Sequence, residues 1–158
     1  MMTSVSTAQP LDPRDHTAIE EIVAKQAEAW NRHDMLAFVA DMTPDVDWIN
    51  IVGMHWRGRD TVERAHAGLH RMPLFANSRM SQEALEMRAL SPDVILAIEH
   101  SRVEGAGPTP SGDPFPASGT IGTFLFVRTA AGWRIAHGHN TTIDAKAVAH
   151  DPASKPQR

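Results

Sequence analysis

Positions Ile19, Ile22, Val23, Gln26 or Ala27, and Trp30 recur at the three-to-four spacing of one helical face. The run closes at Asn31-Arg32-His33-Asp34, which predicts a helix over 13–31. A second, shorter helix is predicted from Met35 to Met42, capped by Asp34 and stopped ahead of Pro44. The period then changes to two: Val46, Trp48, Asn50 and Val52 alternate with Asp47, Ile49 and Ile51, as a strand requires. Gly53 and Gly58 bracket a tight connection. A third helix follows, with Asp60 as its cap, Val62, His66, Leu69 and His70 on one face, and Pro73 as its stop. Met80–Leu90 and Asp93–Val103 read as alternating strands turning at Ser91-Pro92. The Gly/Pro-rich stretch from Gly105 to Pro116 cannot pair in a sheet and is long enough to reach over a pocket mouth.

The segment from Ser118 to Ile143 predicts two strands joined at Thr129-Ala130-Ala131-Gly132, around which the remaining elements pack. Together these elements predict an α+β fold in which a cone-shaped, curved, mostly antiparallel sheet wraps around three helices of the N-terminal half. An internal pocket between sheet and helices is the expected place for chemistry. Residues 13–144 form the single expected domain, between a disordered tail over 1–12 and a polar tail over 145–158.

The length of 158 residues suits one domain that buries ~70% of the surface its unfolded chain exposes. A net charge of −4 offers no basic field for a phosphate backbone, so nucleic acid is not an expected partner. Cysteine is absent, which removes disulfides and thiolate chemistry and fits a cytoplasmic protein. No apolar run reaches the ~20 residues of a membrane span, and the N-terminus lacks the pattern of an export signal, so no membrane partner is expected.

Candidate chemistry centres on histidine. Strict alternation along the last strand puts Trp133, Ile135, His137, His139 and Thr141 on one face. If that face is inward, His137 and His139 are imidazoles in a partly apolar interior. They could be satisfied core residues, general acid/base groups, or two ligands of a metal whose third ligand no spacing identifies. His66 and His70 share a helical face but lack the intervening Glu of a metalloprotease motif. Glu99 and His100 point to opposite faces of their strand, so at most one of them sees the pocket. No nucleotide fingerprint, nucleophile elbow or phosphate-cradling loop is present, and no cofactor or metal is expected.

Ala29-Trp30-Asn31 with Asp34, Pro44-Asp45, Gly53, Trp56-Arg57-Gly58-Arg59-Asp60, Ala65-His66, Gly132-Trp133-Arg134-Ile135 and Asn140-Thr141 occur in order over 14–143. In these residues the chain resembles the SgcJ/EcaC group, in the SnoaL-like branch of the nuclear-transport-factor-two-like superfamily, which also contains the ketosteroid isomerases and scytalone dehydratase. The resemblance implies the same cone and a homodimer formed by sheet-to-sheet pairing, which would cover an open face carrying Leu125 and Val127. It also implies a departure from isomerase chemistry. Asn50 stands at the position of the isomerase's proton-transferring Asp, Ala27 and Phe124 fall at its oxyanion-binding positions, and the chain has no Tyr at all. His66 falls at a pocket-facing Tyr position. The expected site is therefore His137 and His139 as acid/base groups, with Trp48, Asn50, His66, Phe124 and Thr141 around a small apolar molecule. Two functions fit: a cofactor-independent proton-transfer enzyme acting on an apolar carbonyl or polyketide-like compound, or a non-catalytic binding or dimeric scaffold protein.

Overall fold

The computed structural model describes residues 10–115 and 119–154. Positions 1–9 and 155–158 of the expected tails lie outside these residues. So do 116–118, where the expected loop ends and the expected strand pair begins.

Helix α1, Pro13–Asn31, starts on Asp12, whose carboxylate accepts the Arg14 N–H at 2.8 Å. Both of its ends are tied to the sheet. Asp15 accepts from Trp133 Nε1 at 2.9 Å and pairs with Arg128 at 2.7 Å. The Asn31 carboxamide donates to the Met80 carbonyl at 2.9 Å and accepts the Met80 N–H at 2.7 Å, as a neighbouring strand would. Between these anchors the helix buries Ile19, Ile22, Val23, Ala29 and Trp30.

Helix α2, Met35–Phe38, is shorter than the predicted 35–42. The Asp41 carbonyl is taken by the Ile135 N–H at 2.9 Å and Met42 pairs with Ile135, so the chain is already extended at Met42. Strand β1, Met42–Ile49, runs through Pro44, which sits where the register with the neighbouring strand is interrupted. The strand also ends earlier than expected. Asn50 Oδ1 accepts the N–H groups of Val52 and Met54, and Gly53 takes a φ of +81°, closing a hairpin into the edge strand β2, His55–Arg57. Helix α3, Arg59–His70, is capped by Gly58 without a side-chain bond, so Asp60 lies in its first turn and does not cap it. The remaining elements are β3 (Arg79–Ser91), β4 (Val94–Glu104), β5 (Thr120–Thr129), β6 (Gly132–Thr142) and the short α4 (Ala145–Val148). Among the described residues no helix is long and apolar enough to cross a membrane.

The six strands form one sheet in the order β2-β1-β6-β5-β4-β3. All neighbours are antiparallel except β1 and β6. The inner face of this curved sheet carries Ile95, Ala97, Phe124, Phe126 and Ile135 against α1 and α3, and this is the core.

One irregularity decides which residues of β6 reach that core. Leu125 pairs with His137 but the next residue, Phe126, pairs with Ile135, so Ala136 is an extra residue with no partner on β5. Trp133 and Ile135 are buried before the bulge, and Gly138 is buried after it. The inward phase has changed from odd to even. His137, His139 and Thr141, expected inward by strict alternation, therefore stand on the outer face, with His139 and Thr141 exposed and His137 half-buried.

Gly138 makes room for what faces it. A Cβ there would lie 2.6 Å from the six-membered ring of Trp48 and 3.2 Å from Phe124. Gly138→Ala is expected to lose about 1–3 kcal/mol of stability through overpacking, read as a lowered urea midpoint with an unchanged slope.

Candidate active site

Between α1, α3 and the inner face of the sheet lies a cavity of about 530 Å³. That volume suits a small organic molecule. Its helical side is Val23, Gln26, Trp30, Phe38, His66 and Leu69, while residues 109–110 and Phe115 of the predicted loop close over part of it. Phe115 packs on Phe75 at 5.5 Å between ring centres, and Gly107 N–H bonds the Leu74 carbonyl at 2.8 Å, so the loop is docked at the mouth.

The sheet side is organised in rows by register. Ala97, Phe124 and Gly138 form an apolar row, with Trp48 over Gly138. The next row is Glu99, Gly122 and Asn140, and the one beyond it is Ser101, Thr120 and Thr142. Polarity rises along the wall as it leaves the aromatic floor.

Glu99 is 7% exposed, and among the described residues no ion pair or hydrogen bond reaches its carboxylate. Burial pushes this carboxyl up to about 7, because the charged form has lost its water and gained no partner. A carboxyl with that value holds a proton or releases one near neutrality, which is what an acid/base group needs.

His66 is the second ionisable group on the cavity wall. Its Nδ1 donates to the Val62 carbonyl at 2.8 Å, which leaves Nε2 as an acceptor. Phe38, Trp56, Trp48 and Trp30 surround the ring at centroid distances of 4.8, 5.3, 5.7 and 6.2 Å. Desolvation pushes the imidazole down to about 4, only partly countered by the Val62 bond, so it is neutral at pH 7. The Nε1 of Trp48 is buried with no acceptor among the described residues.

Of the residues named from sequence, the fold brings Trp48, Asn50, His66 and Phe124 together on the cavity wall. The oxygen of Asn50 is already used in the β1–β2 turn. His137, His139 and Thr141 are not among the lining residues; Asn140 and Thr142 take that place because of the Ala136 bulge. Of the pair on β4, Glu99 faces the cavity and His100 faces away. Sequence reasoning passed over Asn140, and it left Glu99 unassigned because Val94, Leu96 and Ile98 are as apolar as the residues of the inward phase. The signal available was the lone carboxyl in the series Ile95, Ala97, Glu99, Ser101, Val103. His70 is also buried and pushed down to about 4, by desolvation and then by His33, but its Nδ1 contacts His33 Nδ1 at 2.6 Å outside the cavity lining. Among the described residues no three His, Asp or Glu side chains come together as a metal site.

A curved six-stranded sheet closed by helices around an apolar cavity defines the cystatin-like, nuclear-transport-factor-two-like architecture. The chain belongs to the SnoaL-like domain family, whose model matches residues 19–143. It is similar to an uncharacterized protein with a cystatin-like fold from Caulobacter vibrioides, at 31% identity over 89% of this chain and 97% of that one, with a TM-score of 0.81. A nuclear-transport-factor-two-like protein from Novosphingobium aromaticivorans is 24% identical over 87% of each chain, with a TM-score of 0.69. Another, of unknown function, from Pseudomonas putida KT2440 shares the fold at 16% identity, covering 87% of this chain and 94% of that one with a TM-score of 0.70. No curated protein matches the chain.

The two buried groups make opposite contributions to stability. Glu99 rises from an unfolded value of 4.5 to about 7, so its contribution is present in full below pH 4.5 and lost as pH rises through 7. His66 falls from 6.5 to about 4, so its contribution is present above pH 6.5 and lost as pH falls through 4. Glu99→Gln removes the first slope. The variant is expected to gain on the wild type between pH 4.5 and pH 8 by on the order of 3 kcal/mol, measured by urea unfolding at both pH values.

Proposed function

We propose that this protein is a cofactor-independent enzyme that transfers a proton on a small apolar carbonyl or polyketide-like compound, the chemistry of dehydration, cyclisation or isomerisation. The observation that carries the proposal is Glu99, a buried and unpaired carboxyl in an apolar cavity, pushed up to about 7. Such a group is stable as an acid in the empty site, yet needs only a small change to act as a base once a substrate supplies a hydrogen bond. Trp48, Phe38 and Phe124 supply the apolar contact, and His66 Nε2 accepts from a hydroxyl group of the compound. The acid/base role assigned to His137 and His139 from alternation passes to Glu99, since those histidines stand on the other side of the sheet.

Within the SnoaL-like family the motif Trp56-Arg57-Gly58-Arg59-Asp60 supports the SgcJ/EcaC group as the nearer kin, and the absence of cysteine fits a cytoplasmic location. The proposed assembly is a homodimer. The outer face of the sheet aligns Ile49, His139, Thr123 and Ile98 in one row and His137, Leu125 and Leu96 in the next, an apolar surface that a second copy would cover. Light scattering at tens of micromolar should give twice the chain mass; a monomer contradicts the dimer.

A non-catalytic binding protein is the competing reading, favoured by the predominance of aromatic and aliphatic side chains on the cavity wall. Hydrogen–deuterium exchange at C2 of 1-tetralone, an apolar ketone, separates the two by proton NMR. The enzyme accelerates exchange over buffer with a midpoint near pH 7, and Glu99→Gln lowers the rate by ~10²-fold or more. Binding of the ketone with exchange no faster than buffer identifies the binding protein.

A further inference from the structure

Gly122 stands between Glu99 and Asn140 in the register of three adjacent strands, with no side chain to separate them. The gap is occupied from one side: a Cβ on Gly122 would lie 2.6 Å from Asn140 Oδ1 and 3.0 Å from the Phe124 ring. The Asn140 carboxamide therefore leans over the glycine, from its own strand towards that of Glu99. Asn140 lines the cavity, as Glu99 does, and among the described residues its side chain makes no hydrogen bond. A carboxamide with unused N–H donors, one glycine across the sheet from an unpaired carboxyl, is a two-part polar site in a wall that is mostly aromatic or aliphatic.

We propose that Asn140 is the second polar half of the site, donating from its carboxamide to the carbonyl oxygen of an enolisable ketone while Glu99 faces the neighbouring carbon. This deepens the proton-transfer reading and rests on it for the role of Glu99. In the step, the Glu99 carboxylate takes the proton from the α-carbon, the C–H electron pair becomes the new C=C bond, and the carbonyl π pair moves to oxygen. The charge growing on that oxygen strengthens the bond from Asn140; the proton on Glu99 exchanges with a deuteron of the solvent, and delivery of that deuteron to carbon, with the oxygen pair reforming the carbonyl, completes the exchange. No oxidant or further reactant enters.

The lining also excludes other ligand classes. Among the described residues no Lys or Arg lines the cavity, so a carboxylate or phosphate would be buried near Glu99 without a counter-charge from them. A neutral acceptor matches the donors available, among them the Asn140 carboxamide, protonated Glu99 and the unpartnered Trp48 Nε1 in the adjoining wall.

Three probes on one carbon skeleton test this with the full chain: 1-tetralone, its hydrocarbon tetralin, and 1-aminotetralin, titrated by calorimetry at pH 7. The wild type is expected to bind the ketone about tenfold more tightly than the hydrocarbon, the effect of one neutral hydrogen bond in an apolar site. Asn140→Ala should abolish that preference while leaving tetralin affinity unchanged. Gly122→Ala, which pushes the carboxamide aside, should do the same. Asn140→Asp places a second carboxylate across the gap, so the midpoint of the 1-tetralone exchange profile should move to higher pH. Equal affinity for ketone and hydrocarbon, binding of none of the probes, a ketone preference that survives Asn140→Ala, or tightest binding of the amine each overturns the proposal. An Asn140-dependent ketone preference in a protein that does not accelerate exchange leaves Asn140 as the carbonyl contact and removes the catalytic reading alone.

Discussion

The unpartnered residue Ala136 sets the inward phase of the last strand and with it the composition of the cavity wall. Before the bulge, Trp133 and Ile135 contribute to the core; after it, Gly138, Asn140 and Thr142 face inward. Gly138 is the contact on which the Trp48 ring rests, and Asn140 is what reaches over Gly122. Were Ala136 paired with Leu125 in a regular strand, two imidazoles would occupy the space of Gly138 and Asn140, and Trp48 could not lie where it does. A single inserted residue thus exchanges a histidine-lined wall for one whose polarity comes from a carboxyl and a carboxamide.

That exchange also explains why the buried carboxyl is tolerated. Glu99 is flanked on its own face by Ala97 and Ser101, and across the sheet by a glycine. Neighbouring cations would have held it ionised, but among the described residues none lines the cavity, so the carboxyl meets its desolvation cost by taking up a proton. The opposing His66 meets the same cost in the other direction, by losing one. Near pH 7 the cavity therefore carries at most the charge of Glu99, which stands close to its midpoint, while His66 stays neutral. Folding stability is given up at this one carboxyl, and the chemistry proposed for the cavity depends on it.

Most of the fold was legible from the chain because its signals are local. The 3.6-residue period of α1 matches the helix from Pro13 to Asn31, and the alternation of β3 and β4 places those strands to within a residue or two. What was not legible depends on non-local pairing. The second helix stops at Phe38 because Asp41 and Met42 are claimed by Ile135, more than ninety residues away. The phase of β6 changes because Phe126 skips Ala136, and no residue type announces a bulge in Ile-Ala-His-Gly. Strict alternation is a good rule for a regular strand, and one inserted residue reverses everything after it. Trp48, Asn50, His66 and Phe124 line the cavity as alternation and helical spacing place them, whereas His137, His139 and Thr141, beyond the bulge, do not.

The chemistry of the cavity depends on a protonatable carboxyl, Glu99, that has no ion-pair partner among the described residues. That state is tested most directly by titrating the side-chain carboxyl carbon of Glu99 by NMR in uniformly carbon-13-labelled protein, with Glu99→Gln assigning the resonance. A single transition with a midpoint near 7 is expected, well above the 4.5 of an ordinary glutamate. A midpoint at or below 4.5 would mean that the carboxylate has water or a cation beside it in solution, and would contradict both the buried site and the chemistry built on it.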